Sequence, residues 1–313
     1  MRLRRAAAVA AVTAAVAVTV FATMAAVFPS AQAGRMQPLP ALTTSALAGR
    51  YAANSAAIAR AGRSAWRSGD PALARALDSM RGKHLLSFDP RGQGEAIEVL
   101  GDLATATRVA ILVPGSDTSL TTFFSRGTAS PGGGATALAG QAHRLDPGAH
   151  LAILAWLGYP TPSTLSPAVM TSGDAGQGAS ALRPLVTGLA SRGDQVALLC
   201  HSYGSVVCGL AAPHLPVTDI AVFGSPGMDA GSARQLDTGA RVWAGRASGD
   251  WIRYVPHIQL LGLGFGPDPT APAFGARPFS CGGAGHSGYL RPGSTSLRNL
   301  AHIALGDPAG VTR

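Results

Sequence analysis

The sequence predicts an α/β fold: a mostly parallel central sheet flanked by helices, with an N-terminal helical extension. Short continuous apolar runs recur from residue 85 onward, separated by Gly, Pro and Asp, and such runs read as strands buried on both faces. The stretches between them are long enough for helices, which makes right-handed βαβ crossovers and a parallel sheet. The 313 residues accommodate this as one large domain, and no internal repeat divides it.

The first five residues carry Arg2, Arg4 and Arg5, residues 6 to 27 are uncharged and rich in Ala and Val, and Ala31-Gln32-Ala33 supplies small residues at a cleavage site. This reads as an export signal spanning 1–33, and places the chain in the secreted or cell-envelope class. The run from 6 to 27 also suffices to span a bilayer, so an uncleaved anchor is the alternative and the one route to membrane attachment. The Arg4-Arg5 pair lacks the polar and bulky company of a twin-arginine signal.

Residues 34–82 form the helical extension. Leu42, Leu47, Tyr51, Ile58 and Trp66 fall at mostly helical intervals, and Asp70-Pro71 combines an N-cap with proline at the first helical position, followed by Leu73, Leu77 and Met80 on one face. The α/β domain occupies 83–313. Leu85–Phe88 and Ala96–Leu100 flank Asp89-Pro90-Arg91-Gly92-Gln93-Gly94 as an antiparallel hairpin. Val109–Val113, Leu151–Leu157, Val196–Cys200, Ile220–Phe223 and Arg241–Ala244 follow as buried strands, with helices expected near 132–143, 175–191, 203–212 and 294–305. The segment 255–279, rich in Gly, Pro and aromatic residues, is longer than an ordinary connection and reads as a functional loop or lid, with an irregular surface loop as the equal alternative.

The formal net charge is +9, three of those charges belonging to Arg2, Arg4 and Arg5. The excess is scattered rather than interleaved with aromatics, so no nucleic-acid partner is expected. Lys83 is the single lysine, a mark of base composition rather than of function. Cys200, Cys208 and Cys281 show no CxxC spacing, so no metal site is expected; in an oxidising compartment one pair closes into a disulfide that the sequence does not choose.

The segment Val196 to Val207 runs a buried strand into Ser202 and then into a helix of small residues. A serine on a sharp strand-to-helix turn needs small residues two before and two after it. Gly204 satisfies this fully, and Cys200 stands where the G-x-S-x-G pattern has its first glycine. An ordinary N-cap serine is the competing reading. Val109 to Val113 ends in Pro114-Gly115-Ser116-Asp117, the place for half of an oxyanion hole. The expected donors are the NH of Tyr203 and that of Ser116 or Asp117. Asp250 follows the later strand 241–244 and is the expected acid, with Asp229 as competitor. Chain order then requires a histidine beyond the acid. Of His257, His286 and His302, His286 in the glycine-rich loop 282–289 is the expected base. His201 is read as shaping the turn or the wall, without proton transfer. Tyr159 and Pro160 are read either as pocket lining or as a surface turn.

These motifs together resemble the α/β-hydrolase superfamily, and more narrowly the actinobacterial α/β hydrolases formerly grouped as a domain of unknown function, DUF1023. The resemblance covers about residues 85–306. It rests on V-P-G at 113–115, H-S-Y-G at 201–204, F-G-S-P-G at 223–227, G-D-W-I at 249–252, F-G-A-R at 274–277 and G-H-S-x-Y at 285–289. It implies a hydrolase with the triad Ser202, Asp250 and His286 and no cofactor, while Cys200 departs from the usual glycine. The expected substrate is a small-molecule or lipidic acyl ester, cleaved through an acyl-enzyme. The apolar segment Ile258–Phe265 suits a lipidic or aryl acyl group. An acyltransferase with the same triad and a noncatalytic envelope-associated protein are the alternatives.

Overall fold

The computed structural model describes residues 37–313, so the export signal or anchor read at 1–33 lies outside the described residues. Helix α1 (Thr44–Arg67) begins where the Thr43 side chain accepts from the NH of Ala46, and α2 (Pro71–Ser79) where the Asp70 carboxylate accepts from Leu73. Both starts follow from side chains that satisfy otherwise orphaned helical NH groups. Asn54, buried in the middle of α1, donates to the carbonyl of Leu85 at 2.7 Å and fastens the extension to the sheet edge.

The sheet has eight strands: β1 (Leu85–Asp89), β2 (Glu95–Leu100), β3 (Arg108–Val113), β4 (Leu151–Leu157), β5 (Gln195–His201), β6 (Asp219–Phe223), β7 (Arg241–Gly245) and β8 (Arg277–Pro278). Their order is β1-β2-β4-β3-β5-β6-β7-β8, with β2 antiparallel to both of its neighbours, β1 and β4, and the remaining pairs parallel. The short edge strand β8 was not expected from the sequence. It lies inside the segment read as a loop, where Arg277 and Pro278 pair with Trp243 and Ala244.

Alternation along the buried strands sorts the core into two layers. Val109, Ile111 and Val113 face the helices α4 (Gly173–Ala190) and α5 (Gly204–Ala211). Ala110 and Leu112 face α3 (Pro131–Leu145) and α6 (Thr295–Leu305). With helices on both faces no strand residue needs to be polar, which is why these runs are continuously apolar. Each large side chain so removed from water contributes about 1.5–3 kcal/mol.

The parallel strands bring the C-terminal ends of β3, β5, β6 and β7 to one edge of the sheet. Gly115, Ser202, Gly224 and Asp250 all follow those ends in the chain. Open parallel sheets place their sites at this edge.

Candidate active site

At the end of β5 the chain reverses sharply into α5. Ser202 holds a left-handed backbone, φ 53°, which a non-glycine residue adopts only under constraint. The constraint is visible: its NH donates to the carbonyl of Phe223 at 3.0 Å, and its carbonyl accepts from Ser205 at 2.9 Å. Two glycines packed around this turn, Gly204 in α5 and Gly115 after β3, are required sterically. A Cβ on Gly204 would lie 2.6 Å from the Pro114 carbonyl oxygen, and one on Gly115 would lie 2.7 Å from Cβ of Ser202.

Cys200 and Cys208 are joined in a disulfide, with Cα atoms 6.5 Å apart. The cysteine at the position of the usual glycine thus belongs to a covalent tie between β5 and α5, and the tie brackets Ser202. Cys281 is the remaining thiol; it is buried, and burial pushes its pKa well above the usual thiol range.

Ser202 Oγ lies 2.9 Å from His286 Nε2, and His286 Nδ1 lies 2.9 and 3.0 Å from the two carboxylate oxygens of Asp250. A carboxylate only accepts, so Nδ1 carries the proton and Nε2 presents a lone pair to the serine hydroxyl. Asp250 is fully buried. Burial alone would raise its pKa, but donation from His286, Tyr289 and the NH of Ile252 outweighs it and holds the carboxyl below the usual range.

The other candidates lie elsewhere. Asp229 is bonded by the side chain of Gln259, His302 pairs with Asp307 at 2.9 Å, and His257 lies 3.4 Å from the carbonyl of Ser225.

Tyr289, which the sequence left without a role, and His201, read as shaping the turn or the wall, stand directly behind Asp250 and His286. The Tyr289 hydroxyl donates to Asp250 Oδ2 at 2.6 Å and accepts from the NH of Ala247 at 3.0 Å. His201 Nε2 lies 2.9 Å from the carbonyl of His286, and its ring lies 4.8 Å from the His286 ring. Only a protonated Nε2 can bond a carbonyl, which fixes the tautomer of His201. Burial first, and the nearby His286 second, push the His201 pKa down to about 3, so the ring stays neutral. The signal for Tyr289 was present in G-H-S-x-Y, three residues after the histidine. Nothing in the sequence marked the partner of His201.

The Tyr203 and Ser116 NH groups have no backbone acceptor among the described residues. Asp117 differs. Its NH donates to the carbonyl of Pro162 at 3.1 Å, which removes it from the pair of donors expected after Gly115 and leaves Ser116. The turn is braced from outside by Thr118, whose NH donates to Thr161 Oγ1 at 3.0 Å.

Tyr159 is neither pocket lining nor surface turn. It is fully buried, donates to the carbonyl of Pro114 at 2.8 Å and stacks between Trp156 and Tyr203. It supports the Pro114-Gly115 turn from below.

A cavity of about 790 Å³ opens over Ser202, walled largely by apolar side chains such as Met170, Trp251, Phe265 and Leu290. Trp251 lies against His286, ring centres 4.7 Å apart. Much of the wall comes from segment 255–279, which therefore borders the site. Among the described residues no cluster of three or more His, Cys, Asp or Glu is placed to hold a metal ion.

Known proteins share parts of this chain. A family described as alpha/beta hydrolase matches residues 89–260. An uncharacterized protein of Mycobacterium tuberculosis (strain H37Rv) is 32% identical over 260 residues, which cover 71% of this chain and 39% of that protein. An uncharacterized protein of Mycobacterium bovis is 40% identical over 91 residues, 28% of this chain and 34% of the relative. The chain thus spans well under half the length of these curated relatives. Among solved structures, dienelactone hydrolase from Anabaena variabilis aligns with a TM-score of 0.46 at 15% identity, covering 74% of this chain and 98% of that one. Esterase PE8 aligns at 0.43 with 15% identity, covering 66% and 95%.

Proposed function

The chain belongs to the alpha/beta hydrolase family, and from that premise we propose that it is a serine hydrolase of carboxylic esters working through Ser202, His286 and Asp250. The observation that carries this reading is the unbroken hydrogen-bond relay from Ser202 Oγ through both nitrogens of His286 to a fully buried carboxylate. In this reading Ser202 Oγ attacks the acyl carbonyl carbon while His286 Nε2 takes the hydroxyl proton. The charge that develops on the carbonyl oxygen falls to the NH groups of Tyr203 and Ser116. One such donor is worth roughly 10²–10³ in rate. The imidazolium returns its proton to the departing alkoxide, and the acyl group stays on Ser202. Water, deprotonated by the same nitrogen, then releases the acid.

An ester with an apolar acyl group suits the cavity, whose walls are chiefly carbon and offer few groups to pair with a polar chain. An extracytoplasmic location is supported by the Cys200–Cys208 disulfide, since such bonds persist in oxidising compartments.

The experiment is hydrolysis of p-nitrophenyl esters of increasing chain length by the wild type and Ser202→Ala, together with labelling by a fluorophosphonate. Loss of turnover and of label in the variant is expected. If the wild type is no faster than Ser202→Ala on every ester and the probe leaves Ser202 unlabelled, the hydrolase reading is wrong.

A further inference from the structure

We propose that the rim of the cavity over Ser202 is a lipid-docking surface, with the hairpin finger Leu260–Leu263 as the element that enters the bilayer. The inference is independent of the chemistry at Ser202.

Exposed apolar side chains are concentrated at one place. Nine large apolar residues are substantially exposed among the described residues, and eight of them fall in the segments 165–170 and 251–263; Trp66 is the exception. Both segments contribute walls to the same cavity through residues such as Met170, Ile258 and Leu261. The exposed surface therefore continues inward as the lining of the site. Scattered apolar residues need no explanation, but a contiguous patch around a pocket mouth marks a binding surface.

The finger is built for exposure. Leu260 and Leu263 exchange two backbone hydrogen bonds of 2.9 Å, and the two residues between them, Leu261 and Gly262, both have positive φ, 52° and 80°. Tight hairpin turns with two left-handed central residues normally carry Asn, Asp or Gly at the first of them. Here that position is a leucine, 91% exposed, so the chain accepts backbone strain to present an aliphatic side chain to its surroundings. The finger is also anchored: the NH of Gly264 donates to the carbonyl of Met170 at 2.9 Å, which joins the two exposed segments.

The chemistry of the surface selects the occupant. The tip offers only aliphatic side chains, and its reciprocal backbone bonds leave Leu260 and Leu263 with no NH for a partner to satisfy. Such a tip asks for an apolar medium rather than for matched polar groups. The flanks resemble a membrane interface. Trp251 and Tyr254 are exposed amphipathic rings, and Arg253 lies over the Tyr254 ring at 5.1 Å. No Asp or Glu occurs in residues 158–172 or 251–266, where Arg253 is the one fixed charge. The carboxylates that touch these segments, Asp117 on the NH of Thr164, Asp229 on the side chain of Gln259 and the buried Asp250 on the NH of Ile252, are each held in hydrogen bonds, and the segments themselves carry no negative charge to repel phospholipid headgroups.

The test uses the full chain, with an environment-sensitive fluorophore on Leu261→Cys and, as reference, on Ser79→Cys in the N-terminal helical extension. Vesicles are an equal mixture of phosphatidylcholine and phosphatidylglycerol, prepared with and without acyl chains brominated near the headgroup. The expected result is a blue shift and bromine quenching at position 261 and neither at position 79. Comparing positions within one chain separates docking by the finger from any attachment through residues 1–36. If the protein sediments with vesicles while the label at 261 is neither shifted nor quenched, the proposal is overturned. It is equally overturned if the label at 261 shifts with protein concentration in the absence of vesicles as the mass doubles, because a second copy then covers the patch.

Discussion

Tyr289 and Asp250 are joined by a 2.6 Å hydrogen bond on the carboxylate oxygen Oδ2, while Oδ1 accepts the NH of Ile252 and His286 Nδ1 lies within 3.0 Å of both oxygens. The acid is therefore held from three directions, and none of its holders is solvent. Tyr289→Phe removes one of them and leaves the buried NH of Ala247 without its acceptor. Leaving such a group unpaired costs about 1–3 kcal/mol of stability. The carboxyl, relieved of a donor, titrates higher than in the wild type. The expected outcome is a kcat lower by roughly one to two orders of magnitude with KM little changed, since a 1.4 kcal/mol loss in the transition state is tenfold. Steady-state kinetics beside urea denaturation check both parts. An unchanged kcat would show that the other two donors suffice.

Asp250→Asn tests the acid itself. The amide donates where the carboxylate accepted, so His286 turns over to the tautomer that cannot take the serine proton. In a comparable triad this substitution costs roughly 10⁴ in kcat. Asp229→Asn is the control, because Asn tolerates the left-handed backbone of that position, φ 55°, and Asp229 has no contact with His286. It is expected to retain activity within about twofold, the scale of a surface substitution within 0.5 kcal/mol. Equal losses in both variants would remove the distinction between the two carboxylates.

Much of this site could be read from local sequence because its parts are local. The apolar run into Ser202, Gly204 two residues later and the turn at Gly115 each carry their own signal, and the parallel run of the later strands follows from the crossovers. The sequence brings Ser202, Asp250 and His286 onto one list by chain order; the structure brings their atoms to hydrogen-bond distance. What was not legible is long-range. The partner of His201 is a backbone carbonyl 85 residues away, and the Asp117 NH is spent on a carbonyl from another loop. A carbonyl leaves no trace in residue identity. The pairing of Cys200 with Cys208 was hidden for another reason: the sequence offered three equivalent pairs, and the strand-to-helix turn that brings these two together is visible only once Ser202 is recognised as the bend.

Gly115→Ala tests the oxyanion turn. The added methyl would sit 2.7 Å from Cβ of Ser202 and 3.1 Å from the carbonyl oxygen of His201, neither of which is the end of a flexible side chain. The turn must move, and with it the NH of Ser116. A kcat loss of roughly 10²-fold is expected, the cost of one oxyanion donor, while fluorophosphonate labelling slows in proportion. A fully active Gly115→Ala would place the second donor elsewhere.

Cys208→Ser removes the tie around Ser202. The closed loop is short, and its loss restores about 2–3 kcal/mol of chain entropy to the unfolded state. A lower urea midpoint is therefore expected, and the same shift on treating the wild type with reductant. Reductant has no further effect on the variant if this bond is the source. Should reductant lower the midpoint of Cys208→Ser by as much as that of the wild type, the stabilisation arises elsewhere.

His201 makes the protein sensitive to acid in a window that its pKa defines. Its ring lies against His286, Phe223 and Tyr289, and Asp250 is the nearby carboxylate. Burial first, and electrostatic interaction with His286 second, lower the folded-state value from 6.5 to about 3, with the hydrogen bond to the His286 carbonyl and Asp250 opposing them. Above 6.5 neither the folded nor the unfolded chain protonates the ring, and it contributes no pH dependence. Between 6.5 and about 3 the unfolded chain binds a proton that the folded chain refuses, so stability falls as pH falls. Below about 3 both states bind it and the loss is complete. His201→Gln, whose amide nitrogen reaches about as far as Nε2, keeps an NH for the His286 carbonyl and removes the titration. At pH 7 the variant is expected to be no more stable than the wild type. At pH 4 the difference shifts in favour of the variant, read as urea midpoints at the two pH values. A difference that stays constant between pH 7 and pH 4 would mean that His201 takes up its proton in the folded state, and its ring would then carry a positive charge beside His286.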